Sequence, residues 1–183
     1  MNVRYDERKL IELVLYVSRR LEGDRAGGAT KLNKILYFAD FAHVRQTGRP
    51  ITGAEYQKLP QGPAPRRLLP IRDALLESGE VELHTETFLG YEQHRLVARR
   101  ASDRSVFDEE ELKTVDAVLE DLVHLTAAQV SDLSHHEPGW ALVDQGETIP
   151  YEAALIAPEQ IATPTSRRLA AEVAAHYGLR VQG

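Results

Sequence analysis

The sequence predicts an α+β fold, mostly α-helical, with a central buried helix surrounded by other helices and flanked by one β-hairpin. Three observations predict it. Lys31 to Val44 is apolar on two sides, which suits a helix enclosed between layers and not one lying on a surface. Glu80 to Arg100 alternates apolar and polar residues about a Leu89-Gly90 reversal, the pattern of two paired strands. The other segments repeat apolar residues at helical intervals between capping residues and glycines.

The first helix is expected from Asp6 to Leu21. Asp6 suits the cap, and Leu10, Leu13, Val14, Val17 and Leu21 form its inner face. Gly23 and Gly27-Gly28 end it. Thr30 is the expected cap of the central helix, which runs to about Thr47 and closes at Gly48. Leu32, Ile35, Leu36, Ala39 and Ala42 make one apolar stripe; Tyr37, Phe41 and Val44 make a second. Ile51 to Leu59 reads as extended or irregular. Gln61-Gly-Pro-Ala-Pro65 reads as a stiff turn, because each proline fixes its own φ and restricts the residue before it. Pro65 is expected in the first turn of a third helix, with Leu68, Ile71, Leu75 and Leu76 inward. Pro70 implies either a kink there or a later start near Leu69.

The hairpin is expected to bury Val81, Leu83, Leu96 and Ala98. Asp108 with Glu111 forms a capping-box pattern before a fourth helix, whose inner face is Leu112, Val115, Leu119 and Leu122. Thr126 with Gln129 repeats the pattern before a short fifth helix carrying Val130 and Leu133. Pro138-Gly139 introduces a further helical turn at Trp140, and Ile149-Pro150 a bend into another. A last helix is expected from Thr163-Pro164 through Leu169, Val173 and Tyr177. This gives one domain over residues 1–160 and a helical extension over 161–183 that packs on it.

The 183 residues are 43% hydrophobic and 27% charged, enough to bury a core without staples. There is no cysteine, which excludes disulfides, thiolate zinc sites and cysteine nucleophiles. No basic start followed by an apolar leader is visible, and no apolar run approaches the roughly 18 residues of a membrane span. A cytoplasmic protein with no membrane partner is expected. The formal net charge of −6 argues against non-specific nucleic-acid binding. The clusters Arg66, Arg67, Arg72 and Arg99, Arg100, Arg104 read as solvated faces.

Three stretches, Lys31-Leu-Asn-Lys-Ile-Leu-Tyr-Phe38, Gly62-Pro63 and Ser134-His-His-Glu-Pro-Gly-Trp140, occur in an order and spacing that resembles the SocA-like antitoxin domain, also called Panacea. The resemblance runs from about Leu10 to Leu155, and the helix after Thr163 lies outside it. Its structural motif maps onto Lys31, Leu32, Leu36, Tyr37, Gly62, Pro63, His135 and Trp140. The resemblance implies an antitoxin of a bacterial or phage toxin–antitoxin pair, whose partner is a cognate protein toxin. It leaves open plain sequestration or an adaptor role that hands the toxin to a protease.

The residues themselves give little sign of catalysis. Ser134 and His135 are sequence neighbours, a poor arrangement for a nucleophile and its base, and no Gly-x-Ser-x-Gly elbow or phosphate-cradling glycine loop is present. His135, His136 and Glu137, with His84 or His94, lack metalloenzyme spacing; adjacent helical histidines point about 100° apart. No cofactor and no metal are expected. One of these histidines is read as a buried hydrogen-bonding residue fastening the fifth helix to Trp140. The aromatic stripe of the central helix is read as a packing layer. Helix–helix–helix–hairpin order also fits a winged-helix DNA reader, but the acidic residues Glu80, Glu82, Glu86 and Glu92 disfavour phosphate contact. The Gly62-Pro63 turn, taken as exposed and stiff, is the expected partner-binding edge, comprising Lys58, Gln61, Gly62, Pro63, Arg66 and Arg67.

Overall fold

A computed structural model describes Met1 and residues 3–156 of the chain. Helix α1 (Glu7–Arg20) is capped by Asp6, whose side chain accepts from the Lys9 backbone N–H. Its face of Leu10, Leu13, Val14 and Val17 is fully buried. Helix α2 (Ala29–Thr47) is the centre of the molecule. It packs against α1, α4 (Glu109–Leu122), α5 (Ala127–His135) and the C-terminal 3-10 turn (Tyr151–Leu155). Both its apolar stripes are inside: Leu32, Ile35, Leu36 and Ala39 on one, Tyr37, Phe41 and Val44 on the other. The aromatic stripe is therefore core, stacked Tyr37 on Phe41 at 4.2 Å and Phe41 on Tyr151 at 4.9 Å between centroids.

Two small antiparallel sheets flank this core. One joins β1 (Tyr56–Gln57) to β2 (Ala64–Pro65) on one side and β5 (Thr148–Ile149) on the other, with Tyr56 opposite both Pro65 and Ile149. The second is the expected hairpin of β3 (Val81–Phe88) and β4 (Tyr91–Ala98), in register from Val81–Ala98 to Phe88–Tyr91. Leu89 and Gly90 turn it at φ values of 50° and 83°, the I′ geometry that matches strand twist. Helix α3 (Leu68–Glu77) precedes the hairpin, and α6 (Pro138–Leu142) follows α5. Both predicted capping boxes form, Asp108 with Glu111 and Thr126 with Gln129.

Several expectations are corrected. Gly28, not Thr30, occupies the cap of α2, so the helix starts two residues earlier, at Ala29, without a side-chain cap. Pro65 belongs to β2 and not to the third helix, because the Ala64–Pro65 segment pairs with β1. The helix starts at Leu68 instead, and Pro70 falls in its first turn, where no N–H is needed, so no kink arises. Leu83 and Leu133 are exposed, at 42% and 46%. The hairpin projects past the core after Val81, and α5 turns Val130, Ser131 and Ser134 inward in place of Leu133. The last predicted helix, and the extension over 161–183, lie outside the described residues.

Candidate functional site

The three motif stretches come from α2, the β1–β2 loop and the α5–α6 corner, and the fold brings them into one knot. At its centre is Gly62, with φ of 93°. A side chain there would overlap Ser134 Oγ and lie 2.6 Å from Lys34 Cε. Only glycine fits, both for conformation and for space. Around it, Ser131 Oγ donates to the Gln61 carbonyl at 2.8 Å, and Ser134 Oγ donates to the Ser131 carbonyl at 2.6 Å. Lys34 Nζ donates to the Pro63 carbonyl at 3.0 Å. Thus α5 and α2 each hold one side of the loop.

Trp140 closes the outer side. Its Nε1 lies 3.4 Å from the Leu59 carbonyl, and its ring stacks on His135 at 4.2 Å. Lys58 Nζ sits 4.1 Å from the Trp140 ring centre and donates to the Val143 carbonyl at 2.8 Å. His135 thus fastens α5 to the Trp140 segment by stacking. Its Nε2 is buried with no hydrogen-bond partner among the described residues, so the expected hydrogen-bonding role is not what the ring performs. His136 is exposed, with Nδ1 2.8 Å from the Asp132 carbonyl. Gly139 permits α6 to approach: a side chain there would lie 2.6 Å from Ile149 Cγ2.

Two lysines of α2 are buried in different ways. Lys31 is fully enclosed and donates to the Asp24 carboxylate and to the carbonyls of Val123 (3.0 Å) and Leu125 (2.7 Å). It neutralises the carbonyl end of α4. Lys34 is 2% exposed, and its hydrogen bond goes to a neutral carbonyl. Burial pulls its ammonium down to about 8. Six residues on, Asp40 is fully buried and accepts from the Thr52 backbone N–H (2.7 Å) and hydroxyl (2.5 Å). The Tyr56 hydroxyl lies 2.7 Å from it and the Tyr151 hydroxyl 3.3 Å. Burial raises the Asp40 carboxyl, and the Thr52 and Tyr56 hydrogen bonds oppose that rise. Burial also raises the Tyr37, Tyr56 and Tyr151 hydroxyls.

Of the expected partner-binding residues, Gln61, Arg66 and Arg67 are exposed, Lys58 is half-buried, and Gly62 and Pro63 are buried. The turn is stiff, but Gly62-Pro63 is its floor and not an exposed edge. Arg66 is already engaged, donating to the Gly146 carbonyl at 2.6 Å and to Thr148 Oγ1 at 3.2 Å. Sequence reasoning gave no role to Lys34, Asp40, Ser131 or Gly139. For the first two a signal existed: Lys34 and Asp40 sit among the residues of the two apolar stripes of α2, where little path to water is left.

The family described as antitoxin SocA-like, Panacea domain, matches residues 32–141. The chain belongs to this family. No curated protein and no solved structure matches it. The Panacea match begins in α2 and ends in α6, so it contains the whole knot from Lys34 to Trp140. Tyr151, which joins the Asp40 cluster, lies beyond it. Membership links the chain to toxin–antitoxin systems. No helix among the described residues is long and apolar enough to cross a membrane.

Proposed function

We propose that this protein is a cytoplasmic antitoxin that neutralises a cognate toxin by direct, non-catalytic protein–protein binding. The observation that carries the reading is membership of the Panacea family over most of the folded core. The geometry supports it. The knot residues are committed to internal contacts: Ser134 Oγ is bonded to Ser131 and covered by Gly62, while His135 faces Trp140. Such a site holds shape and offers no assembled nucleophile and base. The hairpin arginines are paired, Arg99 with Glu82 and Arg100 with Glu12 and Glu80, which leaves them poorly placed for phosphate.

The binding edge we assign is the outer face of the knot. Gln61, Arg66 and Arg67 present polar contacts, Lys58 lies at its margin, and Gly62 and Pro63 fix the underlying contour. Little ordering entropy is lost when a partner meets a turn already held by two helices. The reading is tested by co-expression with the adjacent reading frame. A toxic product there should be silenced and co-purify with this chain. Arg66→Glu with Arg67→Glu should weaken the complex at least tenfold, and Arg67→Glu alone should weaken it while the melting temperature stays close to that of the parent. Because Arg66 also ties β5 to the loop, Arg67→Glu alone serves as the milder control. Unchanged affinity in both variants would remove this edge from the interface. Toxin half-life in the complex separates sequestration, which lengthens or preserves it, from delivery to a protease, which shortens it.

A further inference from the structure

Strand β3 is one edge of a two-stranded sheet, and among the described residues no strand pairs with its outer side. In an antiparallel pair the backbone groups of alternate residues point to alternate sides of the strand. The Arg99 N–H donates to the Glu80 carbonyl at 2.8 Å, so Glu80 faces β4. The unbroken register then turns the backbones of Glu82, His84, Glu86 and Phe88 toward β4 as well. The N–H and C=O groups of Leu83, Thr85 and Thr87 therefore point outward, three donors and three acceptors along one edge. Every residue from Glu82 to Thr87 is exposed. Natural edges are blunted by proline, lysine, a bulge or a covering element. Over its eight residues β3 has no proline, no basic residue other than His84 and no bulge. It carries Glu82 and Glu86 instead. Arg99 meets Glu82 from beyond β4, and Arg95 lies 3.3 Å from Glu86 while also donating to the Leu21 and Asp24 carbonyls at 2.6 Å. Both glutamate side chains stay open to solvent.

We propose that the outer edge of β3 receives an extended segment of the cognate toxin as a third strand. The segment carries lysine or arginine beside Glu82 and Glu86, and β-branched or apolar residues beside Leu83, Thr85 and Thr87. The inference rests on the antitoxin reading and adds a second contact to the outer face of the knot. Main-chain hydrogen bonds supply the affinity of such a contact, and the alternating side chains supply its selectivity. Charge decides between this occupant and a second copy of the chain. Two copies of the edge would crowd four carboxylates, Glu82 and Glu86 from each, into one short ladder, whereas a basic strand neutralises them.

The probe is the product of the adjacent reading frame, bound to the full chain. Thr85→Pro deletes one outward N–H and no bond to β4, a position where an edge strand tolerates proline. Thr85→Val loses the same hydroxyl contact with His94 but keeps the N–H. Thr85→Pro should weaken the complex about tenfold or more, because a carbonyl of the added strand is left unpaired, while Thr85→Val stays within about twofold of the parent. Hydrogen exchange reads the same edge without a substitution. In the free chain the amides of Leu83, Thr85 and Thr87 should exchange faster than those of His84 and Glu86, and in the parent complex they should slow by about tenfold or more. Slow His84 and Glu86 amides in Thr85→Pro show that its hairpin is intact. Edge amides that stay fast in the parent complex overturn this contact and leave the antitoxin reading standing. So does an intact Thr85→Pro hairpin that binds as tightly as the parent, or equal weakening by Thr85→Val. Absence of any complex overturns both readings. Edge amides already slow in a dimer of the free chain would assign β3 to a second copy and overturn the proposal.

Discussion

Lys31 and Lys34 lie one helical turn apart and are buried to nearly the same degree, yet they do opposite things. Lys31 has a carboxylate and two carbonyls around it, so its charge is compensated. Lys34 donates to one carbonyl and remains a buried cation near neutral pH. Its folded value of about 8 lies below the ordinary 10.5, so between these limits the unfolded chain holds a proton that the folded chain has released. Folding stability therefore rises as pH increases through 8 toward 10, by up to about 3 kcal/mol. Above pH 10 the buried tyrosines reverse the trend, since the unfolded chain then ionises first. Lys34→Met should flatten the rise between pH 8 and 10, read by urea unfolding at each pH. A parallel slope in parent and variant would place the cost of Lys34 elsewhere. Gly62 beside it tolerates no side chain. Gly62→Ala combines a positive φ with overlap on Ser134 and Lys34, so we expect a loss of about 3 kcal/mol or more by denaturant unfolding. A loss under about 1 kcal/mol would mean that the knot yields easily.

The elements were legible in the sequence where the signal is local. Asp108 and Glu111 announce α4, Leu89-Gly90 announces the hairpin turn, and both appear where expected. The central position of α2 was legible because two apolar stripes on one helix leave only a narrow face for water. What failed was contingent on partners distant in sequence. Pro65 reads locally as a helix start, but Tyr56 arrives opposite it and makes it a strand residue. Leu133 reads as core, but α5 docks through Ser131 and Ser134 because the Gln61 carbonyl beneath needs a donor. The site shares this division. Gly62 and Pro63 were visible as a rigid turn; their burial was not, since it depends on α2 and α5 closing from both sides. Element-scale energetics follow from the local features. The capping box of α4 satisfies two backbone donors, through Asp108 accepting from the Glu111 N–H at 2.8 Å and Glu111 accepting from the Asp108 N–H at 2.9 Å. Nearby backbone donors hold the Asp108 carboxyl below its usual range. Asp108→Ala should cost about 1 kcal/mol, measured by thermal or urea unfolding at pH 7. Because the folded carboxyl is the lowered one, that cost should shrink as pH falls through the Asp108 titration. A cost that persists unchanged at low pH would show that the charged cap is not its source.

At the scale of the whole molecule, the formal charge is −6 while the basic side chains nearest the knot are engaged inside the fold. Arg66 holds the Gly146 loop, Lys58 lies on Trp140, and Arg45 bridges Glu137 to Ala154. Acidic side chains remain at the surface: the first turn of α4 alone displays Glu109, paired with Lys113, and Glu110 to solvent. The far field that a partner meets is therefore negative, whatever polar contacts form at close range. A toxin with a basic surface would be drawn in by this field, which accelerates encounter more than it tightens the final complex. Salt separates the two effects. Between about 0.01 M and 0.15 M ionic strength the screening length falls from roughly 30 Å to 8 Å, shorter than the approach path but longer than a docked contact. The association rate with the toxin, followed by stopped-flow fluorescence of Trp140, should drop at least tenfold over this range while the dissociation rate changes little. A flat association rate would mean that recognition depends on shape alone. A dissociation rate that climbs in step with salt would instead place exposed charge pairs, Arg67 foremost, inside the bound interface.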